Sequence, residues 1–386
     1  MKGFLSRIVW LVCLLPVATL STVSTWAQTA APESFEDLSH SAQAALDTNP
    51  AEAAKLYKKA LDLRPDWPAG WFYLGGALYR LARYTEALEA FQKGIALKPE
   101  NGAAWGFTGL CEYELGHMEK ALTAIDKGER LGLGANTGFE TAVRQCAALI
   151  LIRASLFDKA IAQLQPLSKY HVDSPAIVEL VGLCALADSH LPADMTEKRV
   201  AVVAMAGKAL WSATSQNPKE AEDGYKQLLA AYPDEPGVHY AHGLYLLDGD
   251  QSAALAEFQK EIAANPTHWP SLLVSAFLET RQGTPELAIR SAQAAIEIVP
   301  ASYRWLCDAE IGRALLAMDQ PDKAVAPFEE SVELQPDNAQ THFYLEQAYR
   351  RAGRKSDAQK EHAEFVRLKS AEDPLALPGL VNSTQH

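Results

Sequence analysis

Six prolines recur at a nearly constant interval, and that interval limits what the chain can fold into. Within two series they follow one another every 33 to 36 residues: Pro65 and Pro99, then Pro233, Pro266, Pro300 and Pro336. Twelve residues before each proline stands an alanine: Ala53, Ala87, Ala221, Ala254, Ala288 and Ala324. Eight residues before, the column is mostly aromatic: Tyr57, Phe91, Tyr225, Phe258, Ala292 and Phe328. Twenty-four residues before, it is mostly small: Ser41, Gly75, Ala209, His242, Ala276 and Gly312. A repeat of this length indicates stacked supersecondary units.

The unit at 68–101 shows why these columns recur. Trp71, Leu74, Gly75 and Leu78 form one stripe of a first helix, and Ala87, Phe91 and Ile95 form a stripe of a second helix. The two stripes are expected to meet where Gly75 and Ala87 lack bulk, with the ring of Phe91 beside the crossing. Pro99 ends the second helix, because proline has no amide hydrogen. Each pair leaves an apolar face that only the next pair covers, so the units must stack.

The run WFYLGGALYRLARYTEALEAFQKGIALKP, in residues 71–99, resembles the tetratricopeptide repeat. Three further units keep the alanine without the proline, at Ala121, Ala160 and Ala358. The resemblance covers residues 34–370. It implies an all-α fold, an α-solenoid of about nine helix–turn–helix repeats wound as a right-handed superhelix. It also implies that stacked first helices line a concave groove for a protein or peptide.

The repeat period is interrupted once in the sequence. Residues 175–187 are typical of a first helix, but the polar loop at 188–198 is too short to contain the second helix that should follow. We therefore expect an N-terminal array over 34–187 and a C-terminal array over 199–370, separated by a hinge or by a decayed repeat. The tail at 371–386 has prolines and no helical period, which is typical of a flexible end.

Residues 1–27 have the pattern of a secretory signal. Lys2 and Arg7 precede an apolar run from Ile8 to Leu20, and Ala27 offers a small residue for cleavage before Gln28. An uncleaved anchor helix is the alternative, but the run is shorter than a membrane span requires. The sequence thus predicts an exported protein, periplasmic or secreted, with no membrane span after cleavage. In this respect it resembles exported bacterial tetratricopeptide-repeat proteins.

Charge narrows the possible partners. The formal net charge of −13 becomes about −15 without Lys2 and Arg7. Nucleic-acid binding needs a basic surface, so an acidic chain disfavours that class of partner.

No sequence motif indicates catalysis or a cofactor, and we expect neither. The pair His239 and His242 has no neighbouring third ligand in sequence, so a structural role for it is favoured over a metal site. Asp188, His190 and Asp194 in the irregular loop leave an enzyme or metal site there as an alternative. Four cysteines remain after the leader: Cys111, Cys146, Cys184 and Cys307. They are expected to be buried hydrophobic residues, and a disulfide bridge between neighbouring units is the alternative.

The groove implied by the resemblance should be lined by residues beside the crossing stripe of the first helices. The candidate partner-binding residues are Phe72, Tyr79, Arg80, Tyr113, Arg153, Tyr240, Phe277, Arg281, Arg313, Phe343 and Arg350. Aromatic and arginine side chains are enriched at binding hot spots. Two other interpretations stay open: the arginines complement the C-terminal dipoles of their own helices, and the aromatics pack between units. The lysines and asparagines with which some members clamp a terminal carboxylate are missing at these positions.

The sequence supports three hypotheses of function. The first is a non-enzymatic scaffold that binds a protein or peptide in the bacterial envelope through its groove. The second is a structural or self-assembling spacer with no specific peptide ligand, and the third is an enzyme or metal site at 188–198.

Overall fold

A computed structural model describes residues 34–170 and 174–371, and the secondary structure there is helical throughout, with no β-strand in those two ranges. The helices form two compact units that divide between Ile150 and Leu151. The predicted signal at 1–27 and the tail beyond Ala371 lie outside the described residues.

The first unit contains α1 to α6 and most of α7. Their bounds are α1 Phe35–Ala45, α2 Pro50–Leu63, α3 Pro68–Arg80, α4 Tyr84–Leu97, α5 Gly102–Glu114, α6 Met118–Leu131 and α7 Thr137–Arg153. Local sequence sets several of the starts. The side chains of Ser34, Asn49 and Asn101 accept backbone N–H groups at the first turns of α1, α2 and α5, which stabilises those helix ends.

The second unit follows from Leu151. Its α-helices are α8 Phe157–Leu164, α9 Pro175–Ala185, α10 Glu197–Thr214, α11 Pro218–Ala231, α12 Val238–Leu246, α13 Gln251–Ala264, α14 Trp269–Arg281, α15 Pro285–Ile296, α16 Arg304–Ala317, α17 Pro321–Leu334, α18 Ala339–Arg351 and α19 Lys355–Ala371. Short 3-10 helices occupy Gln165–Tyr170, Pro192–Asp194 and Ala301–Tyr303.

The predicted helix crossing is present in both units. A Cβ atom placed on Gly75 would lie 2.6 Å from the ring of Phe91, and one on Gly312 would lie 2.7 Å from the ring of Phe328. Both rings are fully buried, as are the alanines of the crossing column. The small residue therefore admits the aromatic ring of the second helix, and this contact sets the distance between the two helices.

A tight turn of one kind joins most first helices to their second helices. Its middle residue has a left-handed backbone, as at Ala82 (φ 55°), Gln216 (φ 59°) and Asp319 (φ 56°). The amide that follows reaches back five residues, as from Arg83 to the carbonyl of Leu78 at 3.0 Å. This arrangement satisfies the last carbonyl groups of the first helix and turns the chain into the second.

One column is shifted by a residue from the sequence expectation. The constant offset predicts His242 at the small position of its crossing, but Gly243 occupies it, and a Cβ placed on Gly243 would lie only 2.6 Å from the ring of Phe258. The connection between α12 and α13 contains no left-handed residue. The constant offset from Pro266 therefore fails by one residue in the first helix of this pair.

The irregular segment lies inside the second unit. Between α9 and α10 there is only the 3-10 turn Pro192–Asp194, and α9 packs directly on α10. A Cβ on Gly182 would lie 2.0 Å from the carbonyl oxygen of Val203, and one on Gly207 would lie 1.9 Å from that of Val178. Two first helices thus meet backbone to backbone where a second helix would otherwise separate them. The boundary between the compact units falls earlier in the chain, at 150/151, than the proposed division at 188–198.

The four cysteines are buried, and each is a free thiol. Burial raises the pKa of the Cys307 thiol to about 12, because the thiolate would lose its hydration. No helix of the described residues is both long and apolar enough to span a membrane.

Candidate functional site

The aromatic candidates of the first unit pack between repeats. Phe72 contacts Phe91 and Phe107 with ring centroids 5.9 and 5.8 Å apart. Tyr79 lies 5.7 Å from the same Phe107 ring, and burial strongly raises the pKa of its hydroxyl. Tyr113 is half-buried against the neighbouring core. These rings contribute to the contact between successive pairs, as one of the two alternative interpretations expects.

Arg80 connects its repeat to the one before it. Its guanidinium donates to the carbonyl oxygens of Leu46 and Asp47 at 2.7 and 2.9 Å, and to the carboxylate of Asp47 at 2.9 Å. Arg351 makes the equivalent contact with Asp319, 32 residues earlier, at 2.7 Å. The arginine at this position therefore stabilises the turn of the preceding repeat. It does not cap the C-terminal end of its own helix.

The second unit brings several candidates together on consecutive first helices. The guanidinium carbons of Arg281 and Arg313 lie 5.5 and 4.9 Å from the ring centroid of Phe277. Arg313 also lies 5.3 Å from the ring of Tyr344 on the next first helix. Arginine over an aromatic face is held by cation–π attraction. The first helices of three successive repeats, α14, α16 and α18, therefore share one aromatic and cationic surface.

Two arginines of this surface are paired with acids on their own helices. Arg313 Nη1 lies 2.6 Å from Glu310 Oε1, and both side chains are mostly buried. Arg350 Nη2 lies 2.5 Å from Glu346 Oε1, but its side chain is 62% exposed. Phe343 is 37% exposed and packs against Phe365 of α19. On this surface Arg313 is therefore held in a buried ion pair, whereas Arg350 and Phe343 are accessible to a partner.

Arg153 and Tyr240 lie apart from this surface. Arg153 is exposed at the end of α7. Tyr240 is only 7% exposed, and its ring lies 4.9 Å from that of His268. Burial strongly raises the pKa of the Tyr240 hydroxyl, and the carboxylate of Asp158 acts in the same direction. The side chain of Tyr240 is therefore part of the interior of the second unit.

Asp188 and His190 of the irregular loop are used in internal contacts. Asp188 accepts from the amide and Nδ1 of His190 at 2.9 and 2.8 Å, and from Arg199 at 2.7 and 2.8 Å. Burial opposes ionisation of Asp188, but these hydrogen bonds outweigh it and hold its pKa below the usual value. Arg199 also donates to the carbonyl of Pro236 at 2.7 Å. The cluster ties the end of α9 to α10 and to the loop before α12.

His239 and His242 share a carboxylate on the second helix of their pair. Their Nδ1 atoms lie 2.6 and 3.6 Å from Glu257 Oε2, and Lys260 contacts the other oxygen at 2.7 Å. Desolvation lowers the pKa of His242. Within 34–170 and 174–371, no three His, Cys, Asp or Glu side chains are arranged to hold a metal ion. The cluster is explained as a set of polar contacts around Glu257 at a helix crossing, with Lys260 as its ion-pair partner.

Asp308 is the buried acid whose titration should be measurable. It is 3% exposed, and burial raises the pKa of its carboxyl to about 6, with the nearby Glu330 carboxylate adding to the effect and Arg304 opposing it. A folded-state pKa above the unfolded value means that this group's stabilising contribution is complete below about pH 4 and is lost as the pH rises to about 6.

We therefore expect Asp308→Asn to raise the free energy of unfolding at pH 7.5 by about 1–2 kcal/mol, because the amide leaves no charge buried. The gain should shrink toward zero at pH 4. Urea unfolding followed by circular dichroism at both pH values measures it, and an equal gain at both would show that the carboxyl does not titrate in this range.

Three participants are absent from the candidates that the sequence offers. In their repeats, Phe107 and Tyr344 each stand one residue later than the column that contains Phe72 and Phe343. Both contact predicted residues. Glu310 stands three residues before Arg313 on the same helix, a spacing that does predict side-chain contact. The next position after the candidate column identifies the two aromatic residues, and the three-residue helix spacing identifies Glu310.

A comparison with protein families agrees with the repeat architecture. A family model described as tetratricopeptide repeat matches residues 41–101, 79–132 and 310–364. No curated protein matches the sequence. Among solved structures, the chain is similar to MamA from Desulfovibrio magneticus RS-1 (20% identity, TM-score 0.41, 46% of this chain and 99% of that one). It is also similar to PilF from Pseudomonas aeruginosa (17% identity, TM-score 0.41, 45% of this chain and 78% of that one). The same helix crossing recurs outside the matched ranges, at Phe258. The family matches fall in both units, so the chain contains tetratricopeptide repeats within residues 41–132 and 310–364.

Proposed function

We propose that this protein is a non-enzymatic scaffold that binds a protein or peptide partner through the first helices of its second unit. The observation that carries the proposal is that the guanidinium groups of Arg281 and Arg313 both lie over the Phe277 ring, and that Arg313 also lies over the ring of Tyr344. We call Phe277, Arg281, Arg313, Phe343, Tyr344 and Arg350 the arginine–aromatic face. Such residues concentrate binding energy at protein interfaces.

The accessible part of this face determines what it recognises. Arg281 is exposed and makes no ion pair with the described residues, while Phe343 offers an exposed ring and Arg350 an exposed guanidinium. A partner segment that carries carboxylates beside apolar side chains would satisfy both kinds of group. We therefore infer an acidic, partly apolar peptide segment as the ligand.

We further propose that the protein acts outside the cytoplasm, in the bacterial envelope. The support is the signal pattern of residues 1–27, from Lys2 to the small residue Ala27. Mass spectrometry of the protein isolated from its cells reports the first residue: Gln28 supports export, and Met1 contradicts it.

The proposed face can be tested with exposed residues, so that folding is preserved. Arg281→Glu, Phe343→Ser and Arg350→Glu together should reduce partner capture from envelope extract by about tenfold or more, because each removes a hot-spot type of group. The matched control is Leu287→Ser, Arg290→Glu and Lys323→Glu, which makes the same kinds of change on exposed positions of α15 and α17. Capture is measured by cross-linking and quantitative mass spectrometry at equal helix content.

Two results would contradict the proposal. One is equal loss of capture in both triple variants, which would place the interface elsewhere. The other is an extract in which the only cross-linked protein is a second copy of the chain, which would favour a self-assembling spacer.

A further inference from the structure

The first unit exposes one leucine per repeat at the same position. Leu63, Leu97 and Leu131 stand near the ends of the second helices α2, α4 and α6, and their side chains are 58%, 45% and 37% exposed. A single exposed leucine is ordinary on a protein surface. Three of them at intervals of 34 residues form a row across three consecutive second helices.

A lysine stands one helical turn before each of these leucines. Lys59, Lys93 and Lys127 are all exposed and, at a spacing of four residues, share a helix face with the leucine that follows. Lys93 Nζ lies 4.5 Å over the half-buried ring of Trp71. We call these three lysines and three leucines the Lys–Leu edge.

The last proline-marked repeat of the second unit carries the opposite charge at the lysine position. On α17, Glu330 and Leu334 replace the lysine and the leucine, with Glu333 beside them, and Leu334 is 47% exposed. At the end of α15, Ile298 is 37% exposed and follows Glu297. None of these three glutamates makes an ion pair with the described residues. We call Glu297, Ile298, Glu330, Glu333 and Leu334 the Glu–Leu edge.

We propose that the Lys–Leu edge of one molecule docks on the Glu–Leu edge of a second copy of this chain. Both edges combine exposed aliphatic side chains with charges of one sign, and the signs are opposite, so they complement each other in both respects. Because the two edges are different surfaces, the contact is heterologous, and a bound pair leaves one edge of each kind open. Repetition therefore gives open chains or a closed ring.

A second copy fits these edges better than a lipid surface. The chain as a whole carries a formal charge of −13, which opposes approach to an anionic membrane. The self-contact lies on second helices, whereas the arginine–aromatic face lies on first helices, so the association leaves the proposed partner site untouched.

Charge reversal provides a sharp test, using the chain as isolated from its cells and sedimentation equilibrium over a range of concentrations. The wild type should associate, and more weakly as salt is raised, because the contact is partly ionic. Lys59→Glu, Lys93→Glu and Lys127→Glu together should make both edges negative. Glu297→Lys, Glu330→Lys and Glu333→Lys together should make both edges positive. Each triple variant alone should lose association by about tenfold or more, since like charges then face each other.

Mixing the two triple variants should restore association, because each then offers edges complementary to the other. The control is Lys159→Glu, Lys208→Glu and Lys219→Glu, which alters net charge equally at exposed positions off both edges and should associate as the wild type does. The proposal is overturned if the wild type is monomeric throughout, or if the mixture associates no better than its components. It is likewise overturned if the Lys–Leu edge instead governs binding to phosphatidylserine vesicles.

Discussion

Replacing Gly207 by valine is expected to lower the free energy of unfolding of the second unit by more than about 3 kcal/mol. The physical reason is the contact between α9 and α10, where a Cβ on Gly207 would stand 1.9 Å from the carbonyl oxygen of Val178. That obstacle is backbone, so no rotamer change relieves it, and the two helices must separate. Gly182, whose Cβ would meet the carbonyl of Val203 at 2.0 Å, should behave in the same way.

A matched glycine on another first helix provides the control. Gly76 lies in α3, and a Cβ placed there meets nothing within 4 Å. Gly76→Ala should therefore be neutral or stabilising by up to about 1 kcal/mol, because alanine favours the helix. Urea unfolding followed by circular dichroism compares the variants. If Gly207→Val unfolds at the same urea concentration as the wild type, α9 and α10 do not pack as closely as described.

Removing the Arg313 side chain is expected to cost about 3–5 kcal/mol, because it leaves the buried Glu310 carboxylate without its cation. Glu310 is 8% exposed, and its Oε2 atom has no hydrogen-bond partner in the described part of the chain, so Arg313 at 2.6 Å is its main compensation. Burial also raises the pKa of Glu310, which is the direction expected for a carboxyl that loses hydration.

A double-mutant cycle separates this charge effect from the loss of packing. Glu310→Gln in the Arg313→Ala background should recover most of the lost stability, since the amide carries no charge to leave buried. Arg367→Ala is the comparison, because its ion pair with Glu364 is exposed on both sides and should cost less than about 1 kcal/mol. If the single variant Arg313→Ala were no less stable than Arg367→Ala, the pair would have to be solvated.

The helix crossing is predictable from sequence because it depends on side-chain volume at a fixed spacing. Gly75, Ala87 and Phe91 determine it within one repeat, and the structure places the ring against the glycine as expected. The family match at 41–101 covers the same residues. Local rules of this kind hold because the two helices are joined by a turn of constant length.

The features that the sequence does not predict depend on chain geometry or on other repeats. The shift from His242 to Gly243 follows from a connection that lacks the usual left-handed residue, and a fixed offset does not detect that. The sequence pattern places Arg80 at its own helix end or in a groove, but its acceptors lie 33 and 34 residues earlier. Tyr240 is buried close to Asp158, which is far away in sequence. Repeat periodicity predicts the helix position of a side chain, but its partner comes from the neighbouring repeat.

The most direct test of the central proposal is photo-cross-linking from single positions. Benzoylphenylalanine at Phe343 replaces one exposed ring by another on the arginine–aromatic face, and the same residue at Leu287 reports on the outer surface of α15. We expect irradiation in envelope extract to attach a protein partner to position 343, with loss of that product when Arg281→Glu is added, and no such product from position 287. A partner attached at 287 but not at 343 would contradict the account.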